Sequence, residues 1–197
     1  MILPKKRPRG EVRVITFLAC VVTLISGCSD SPRSEGPLVG VRSDAGESSV
    51  CGPAPVVGET VFGSRLTNGS KEPLTILTVG THDSINVASV QYQIDPNPEP
   101  FTYFGTQFDP IPSGSERPGA REYLARLIPA QGGEVAAASD VVLASRITAT
   151  DPKTVAAIYH PVITYESQGK TYREELFMDF ALTPGGDCSD GDLSWDH

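Results

Sequence analysis

The chain has 197 residues and carries 16 lysines and arginines against 24 aspartates and glutamates, a formal charge of −8 at neutral pH. An acidic surface repels nucleic-acid phosphates and anionic lipid headgroups, so a nucleic-acid ligand is excluded and solubility is the plainer meaning of the charge. Residues 51–197 suffice for one domain, which at this size buries about 68–70% of the surface its unfolded chain exposes.

In chain order, the first element is an apolar run behind a basic end. Lys5, Lys6, Arg7, Arg9 and Arg13 precede the uncharged stretch Val14 to Ile25, with Glu11 alone opposing them. Basic residues ahead of a short apolar stretch follow the charge order of an export signal. A bilayer span needs about 20 residues at 1.5 Å rise each, and this run is shorter. An ordinary secretory signal and an uncleaved helical anchor are the competing readings. Cys20, inside the run, reads as a small apolar residue.

The run closes on Ile25-Ser26-Gly27-Cys28. These residues resemble the lipobox of bacterial lipoproteins, in which small residues precede a cysteine; Ile25 stands where leucine is commoner. The resemblance covers the first 28 residues. It implies cleavage between Gly27 and Cys28, and a diacylglyceryl group on the Cys28 thiol, with acyl chains such as palmitate. The expected site is the extracytoplasmic face of the cell membrane, with the membrane itself as a partner through the anchor. One acyl chain holds a protein marginally, whereas two hold it stably, at about 0.8 kcal/mol per buried CH₂. Without residues 1–27 the chain keeps 11 basic and 23 acidic residues.

Residues 28–50 form the next unit. Serine, glycine, proline, aspartate and glutamate make up 15 of the 22 residues from Ser29 to Val50, a composition that builds no core. The expectation is a disordered tether that holds the domain about 25 Å from the lipid on average, from roughly 5–6 Å × √n.

Residues 51–197 read as a single domain of strands. Val56–Leu66 is β-branched and interrupted by Gly58 and Gly63, and "TNGSKEP" follows as a polar turn around Asn68-Gly69. Leu74–Val79 comes next, and Ile85–Ile94 then alternates with Ala88, Val90, Tyr92 and Ile94 on one face. The segment Asp95–Gly119 has six prolines and four aromatics, Phe101, Tyr103, Phe104 and Phe108. Loops beyond about 12–15 residues are uncommon in compact domains and are often functional. These four aromatics are therefore the candidate binding loop, with the alternative that they fold back as a lid over one end of the domain. Arg121–Ile128 suits a short helix or a short strand, and Pro129 ends either.

Val141–Thr148 and Val155–Ser167 continue the strands, and Pro161 marks the second as an edge strand or a bulged one. After the "QGK" turn, Thr171–Leu182 places Tyr172, Leu176, Met178, Phe180 and Leu182 on one face, with Glu174 interrupting that face at its solvent end. Short strands separated by turns, each with one apolar face, argue a mainly β, antiparallel two-sheet sandwich. "LTNGSKEPLTI" and "VITYESQGKTYREEL" resemble the immunoglobulin-like domains of actinobacterial surface lipoproteins. The Cys…Trp…Cys pattern of antibody domains is absent. Cys51 and Cys188 bracket the domain and read as a disulfide staple worth about 5 kcal/mol at most. Free thiols or a metal pair are the alternatives, and no CxxC or His-Cys spacing favours metal.

Signatures of chemistry are missing. The sequence has no GxSxG elbow, HExxH, Gly-Lys phosphate loop or GxGxxG, so no catalytic residue and no cofactor is assigned. His82 and His160 are the histidines a base would have to come from, and His160 beside Pro161 reads as structural. Asp187, Asp190, Asp192 and Asp196 crowd the C-terminus without the spacing of a calcium loop. Met178, expected in the core, leaves a copper site without soft ligands. The expectation is a non-enzymatic, lipid-anchored module that binds or positions an envelope protein or a cell-wall component. A small-molecule or lipid carrier with a cavity inside the sandwich is the alternative, and a hydrolase the least favoured reading.

Overall fold

The computed structural model describes residues 32, 33, 35–40, 48–98, 106–109 and 119–186. The expected signal segment 1–27 and Cys28 lie outside these residues, as do Phe101, Tyr103, Phe104 and Cys188. The elements in order are β1 (Leu38–Gly40), β2 (Ser48–Pro53), β3 (Glu59–Asn68), β4 (Leu74–Ile85), β5 (Val87–Asp95), β6 (Thr106–Asp109), α1 (Ala120–Arg126), β7 (Ile128–Pro129), β8 (Glu134–Val135), β9 (Asp140–Ala149), β10 (Ala156–Ser167), β11 (Lys170–Glu175) and β12 (Met178–Thr183).

The protein is a mainly β, two-sheet sandwich with one short helix among the described residues. The first sheet has the order β1-β3-β9-β5-β7, with β6 added to β3. The second has the order β2-β12-β10-β4-β8, with β11 added to β10. Setting β1-β3-β9-β5 against β12-β10-β4 gives the four-on-three arrangement of immunoglobulin constant-type domains. Among the described strands pairing is antiparallel except between β2 and β12, which run parallel from Ser48↔Met178 to Pro53↔Thr183, and an isolated bridge of Arg33 to Tyr172 is parallel as well.

Alternation explains the inner faces. In β3, Thr60, Phe62, Ser64, Leu66 and Asn68 point inward. The run Val141–Ser145 of β9 is buried on both faces, because α1 covers the outer face of this sheet. Inside, Leu38, Leu66, Leu74, Ile76, Ile94, Leu143, Ile163 and Tyr165 fill the half of the sandwich that holds the Asn68 loop. Phe62, Ile147, Ile158, Phe180 and Leu182 fill the other, where Phe62 and Phe180 stack with centroids 5.0 Å apart. Between the halves lie Ser145, whose neighbours across the sheet are Phe62 and Tyr92, and the Tyr92 hydroxyl. Neither hydroxyl has a hydrogen bond of ordinary geometry, and burial pushes that of Tyr92 well above the usual phenol range.

An asparagine pins each end of the sandwich. Asn68 Nδ2 donates to the carbonyls of Glu72 (2.9 Å) and Ala136 (2.9 Å), and its Oδ1 accepts from Ser70 N at 3.0 Å. Asn68 therefore closes β3 and binds two loops, rather than sitting at the heart of a two-residue turn. At the opposite end, Asn86 takes a left-handed φ of 53° between β4 and β5. Its Nδ2 donates to Asp151 O at 2.9 Å and Thr154 Oγ1 at 2.7 Å.

Several boundaries depart from the sequence reading, each for a local reason. Val56 and Val57 are 87% and 78% exposed and precede β3 instead of opening it. A register shift between Val87 and Ser89 moves Ala88 out of the face it was assigned to, and Val87 turns inward beside Val90 and Tyr92. Residues 170–183 form two strands, β11 ending at Glu175 and β12 beginning at Met178, with Leu176 N–H still donating to Pro161 O of β10 at 2.9 Å between them. Glu174 is buried there, and its Oε1 accepts from Gly40 N at 3.3 Å. Pro161 sits inside a central strand, at the point where the outer neighbour of β10 changes from β12 to β11, so its missing donor leaves no ladder bond unmade.

The expected tether is partly structured. Leu38 is fully buried, β1 pairs with β3 from Leu38↔Asn68 to Gly40↔Leu66, and Arg33 bridges to Tyr172. Leu38 and Val39 stand in the one apolar cluster of that polar stretch. Gly36 allows the crossing between sheets, because a Cβ there would overlap the Tyr165 hydroxyl. That hydroxyl accepts from Leu38 N at 3.1 Å, and burial pushes its pKa up to about 12.

Candidate functional site

The outer face of the first sheet carries the densest polar construction among the described residues. The segment from β5 to α1 leaves and returns on this face. Asp95, the last residue of β5, is fully buried and both its oxygens are engaged. Oδ2 accepts from Arg126 Nε at 3.2 Å and Nη2 at 3.0 Å, while Oδ1 accepts from Asn97 N at 3.1 Å. An ion pair between residues 31 apart in sequence thus clamps the two feet of the proline- and aromatic-rich segment.

Helix α1 seats the second foot. Tyr123 packs on Val61, Val142 and Ala144, with Leu124 and Leu127 beside it. Burial raises the Tyr123 hydroxyl well above the usual phenol range and nearby Asp95 adds to it, so it stays protonated and donor-competent at physiological pH. Alongside, Arg146 of β9 reaches across neighbouring strands. Its Nε donates to Glu59 Oε2 at 2.7 Å and its Nη1 to Gln93 Oε1 at 3.1 Å. Within the segment itself, Thr106–Asp109 pairs with Glu59–Phe62 as β6, so the backbone of Phe108 lies opposite Thr60.

Chemically this is a frame. The carboxylates of Asp95 and Glu59 are each engaged by a guanidinium, which fixes their oxygens in place and makes them structural partners rather than free groups facing a substrate.

His160 occupies a second polar cluster, at the kink of β10. Its φ of 42° is unusual for a non-glycine residue inside a strand, and its N–H donates to Asp179 Oδ1 at 3.2 Å. The ring lies with Nδ1 3.3 Å from Glu175 Oε1 and Nε2 3.6 Å from Asp179 Oδ1, its edge against Phe177. Carboxylates facing both ring nitrogens fix the imidazole and stand where a nucleophile would have to sit. His82 is exposed on β4. No group of three or more His, Cys, Asp or Glu suited to a metal ion occurs among the described residues.

Of the residues singled out in the sequence, Phe108 falls in β6, and Phe101, Tyr103 and Phe104 lie outside the described residues. Cys51 lies on β2 against Ala157, Tyr159 and Ala181 and is disulfide-bonded, while Cys188 is outside the described residues. Sequence reasoning missed Asp95, Arg126, Arg146 and Glu59. Glu59 and Arg146 read as ordinary solvated positions in alternating strands. The Asp95–Arg126 pair spans a separation over which no periodicity operates. One signal was present: Asp95-Pro96 closes a strand immediately before the prolines begin.

No known protein family matches the chain, and no curated protein matches it. Among solved structures, a family 123 glycoside hydrolase from Clostridium perfringens, studied for the hydrolysis of glycolipid glycans, is similar at 12% identity and a TM-score of 0.31. The similarity covers 68% of this chain and 22% of that one.

Proposed function

We propose that the protein is a lipid-anchored module of the cell envelope, held by a diacylglyceryl group on Cys28 with its sandwich on the extracytoplasmic face. It acts without catalysis, by binding an envelope protein or a cell-wall component through the segment that carries Phe101, Tyr103, Phe104 and Phe108. The observation behind this reading is the buried Asp95–Arg126 pair, which clamps both feet of that segment to one face of the sandwich. Clamped feet and flanking prolines lower the ordering cost of a binding loop, and aromatic side chains supply contact area at little entropy cost. The basic end, the short apolar run and Ser26-Gly27 before Cys28 support the anchor.

Two measurements test the reading. Cys28→Ala releases the protein from the membrane fraction or leaves it as a precursor; fractionation at mature size with membranes defeats the anchor. A photocrosslinker at Phe104 in living cells captures a partner, and Phe104→Ala weakens that capture with the melting temperature nearly unmoved. A large stability loss with unchanged capture makes the segment a lid and removes the binding role.

A further inference from the structure

Arg33 stands five residues after Cys28, and the direction of the chain at Arg33 says which end of the sandwich the anchor pulls on. Arg33 lies beside β11 as a parallel bridge to Tyr172. Its N–H donates to Thr171 O at 3.1 Å, and its carbonyl accepts from Arg173 N at 2.7 Å. Strand β11 starts at Lys170, immediately after the turn at Gln168-Gly169 that joins it to β10. Because Arg33 runs parallel to β11, the chain enters Arg33 from the side of that turn.

Contour length then limits the anchor. From the level of Tyr172 to Gly169 is three residues, about 10 Å at 3.3 Å each. The five residues from Arg33 to Cys28 span at most about 18 Å. Cys28 therefore reaches no more than about 8 Å past the hairpin tip, close to the depth of one headgroup layer, about 5–7 Å. Strand β10, running from Ala156 near the far end to Ser167 beside the hairpin, is about 36 Å long at 3.3 Å per residue, twice the reach of that chain.

We propose that the hairpin end of the sandwich, with Gln168, Gly169, Lys170 and the neighbouring Lys71, rests on the headgroup surface of the membrane. The long axis stands upright, and the Thr150–Val155 end faces away. The inference rests on lipidation of Cys28. Tether length sets the contact rather than charge, because Lys71 and Lys170 have Glu72 and Glu166 close by in the chain. Proximity is therefore insensitive to salt.

The test uses the full lipidated protein in phosphatidylcholine vesicles whose headgroups carry a nitroxide quencher. A dye is placed on Lys170→Cys in one sample and on Lys153→Cys, at the far end, in another. Quenching at 170 is expected to be severalfold greater than at 153, in low and high salt alike. Inserting about ten Gly/Ser residues after Ser29 lengthens the flexible reach and should erase most of that difference. Equal quenching at both positions, or stronger quenching at 153, overturns the orientation while leaving the anchor intact. Intact mass without a diacylglyceryl group on Cys28 overturns the anchor and the orientation together.

Discussion

The two faces of the first sheet are built from different physics. Its inner face meets the second sheet through apolar packing, Phe62 on Phe180 and Leu66, Ile94 and Leu143 around Tyr165. Its outer face meets α1 through a small apolar contact around Tyr123 and is otherwise held by charge: Asp95–Arg126, Glu59–Arg146 and Arg65–Asp140. Apolar packing tolerates no gap but asks little of direction, whereas an ion pair is worth what its burial makes it. The difference shows where this chain invests in stability and where it positions a segment.

The largest expected effect lies on the inner face. Phe180→Ala removes a fully buried ring and its stacking partner's contact, and should lower unfolding free energy by about 3–5 kcal/mol in urea titrations. On the outer face, Arg126→Met should cost about 3 kcal/mol, because it leaves the fully buried Asp95 carboxylate without its cation. Limited proteolysis should then cut faster between residues 96 and 118 than in the parent. If Arg126→Met is neutral, the outer face is held by Tyr123 packing and the clamp has no mechanical role.

A single inner hydrogen bond should weigh less. Tyr165→Phe removes the acceptor for Leu38 N and should cost about 1 kcal/mol, with faster amide exchange confined to β1. The smallest effect belongs to the exposed pair. Arg65 and Thr67 donate to Asp140 and hold its carboxyl below the usual aspartate range. A depressed folded-state pKa adds stability above the unfolded value of about 3.9, and that stability is lost as pH falls through the folded value. With its side chains 44% and 28% exposed, this pair is screened, so Asp140→Asn should cost less than about 1 kcal/mol at pH 7. The difference between parent and variant should begin to shrink as pH falls below the unfolded aspartate value and vanish once pH has passed the lower folded one.

What the sequence disclosed follows the same division. The strands of the inner face were legible where burial on one side leaves alternation, as in Val90, Tyr92 and Ile94 of β5. The two-sheet class was legible in the run of short strands and turns, whereas the order of strands within each sheet was not. Alternation failed where backbone geometry changes phase: a bulge displaced Ala88, and the interruption at Leu176-Phe177 split one expected strand into β11 and β12. Polar composition hid β1, because its core contribution is Leu38 alone among serines, glycines and acids. The outer-face clamp was illegible for a different reason. Charged residues at positions 59, 95, 126 and 146 carry no mark of which will be buried until the fold brings them together.

Strand β4 has one more consequence. Its first residues pair with β8 on the outer side, but from Thr78 to Ile85 no described strand covers that side, and no proline interrupts it. An uncapped edge of this length is a template on which a foreign strand can add. His82 and Asp83, both exposed, sit in the middle of that edge and act as gatekeepers: polar side chains there make self-templating costly. Colloidal behaviour of the protein in concentrated solution should therefore depend on these two side chains more than on its net charge, with His82→Val/Asp83→Val clumping under conditions the parent tolerates.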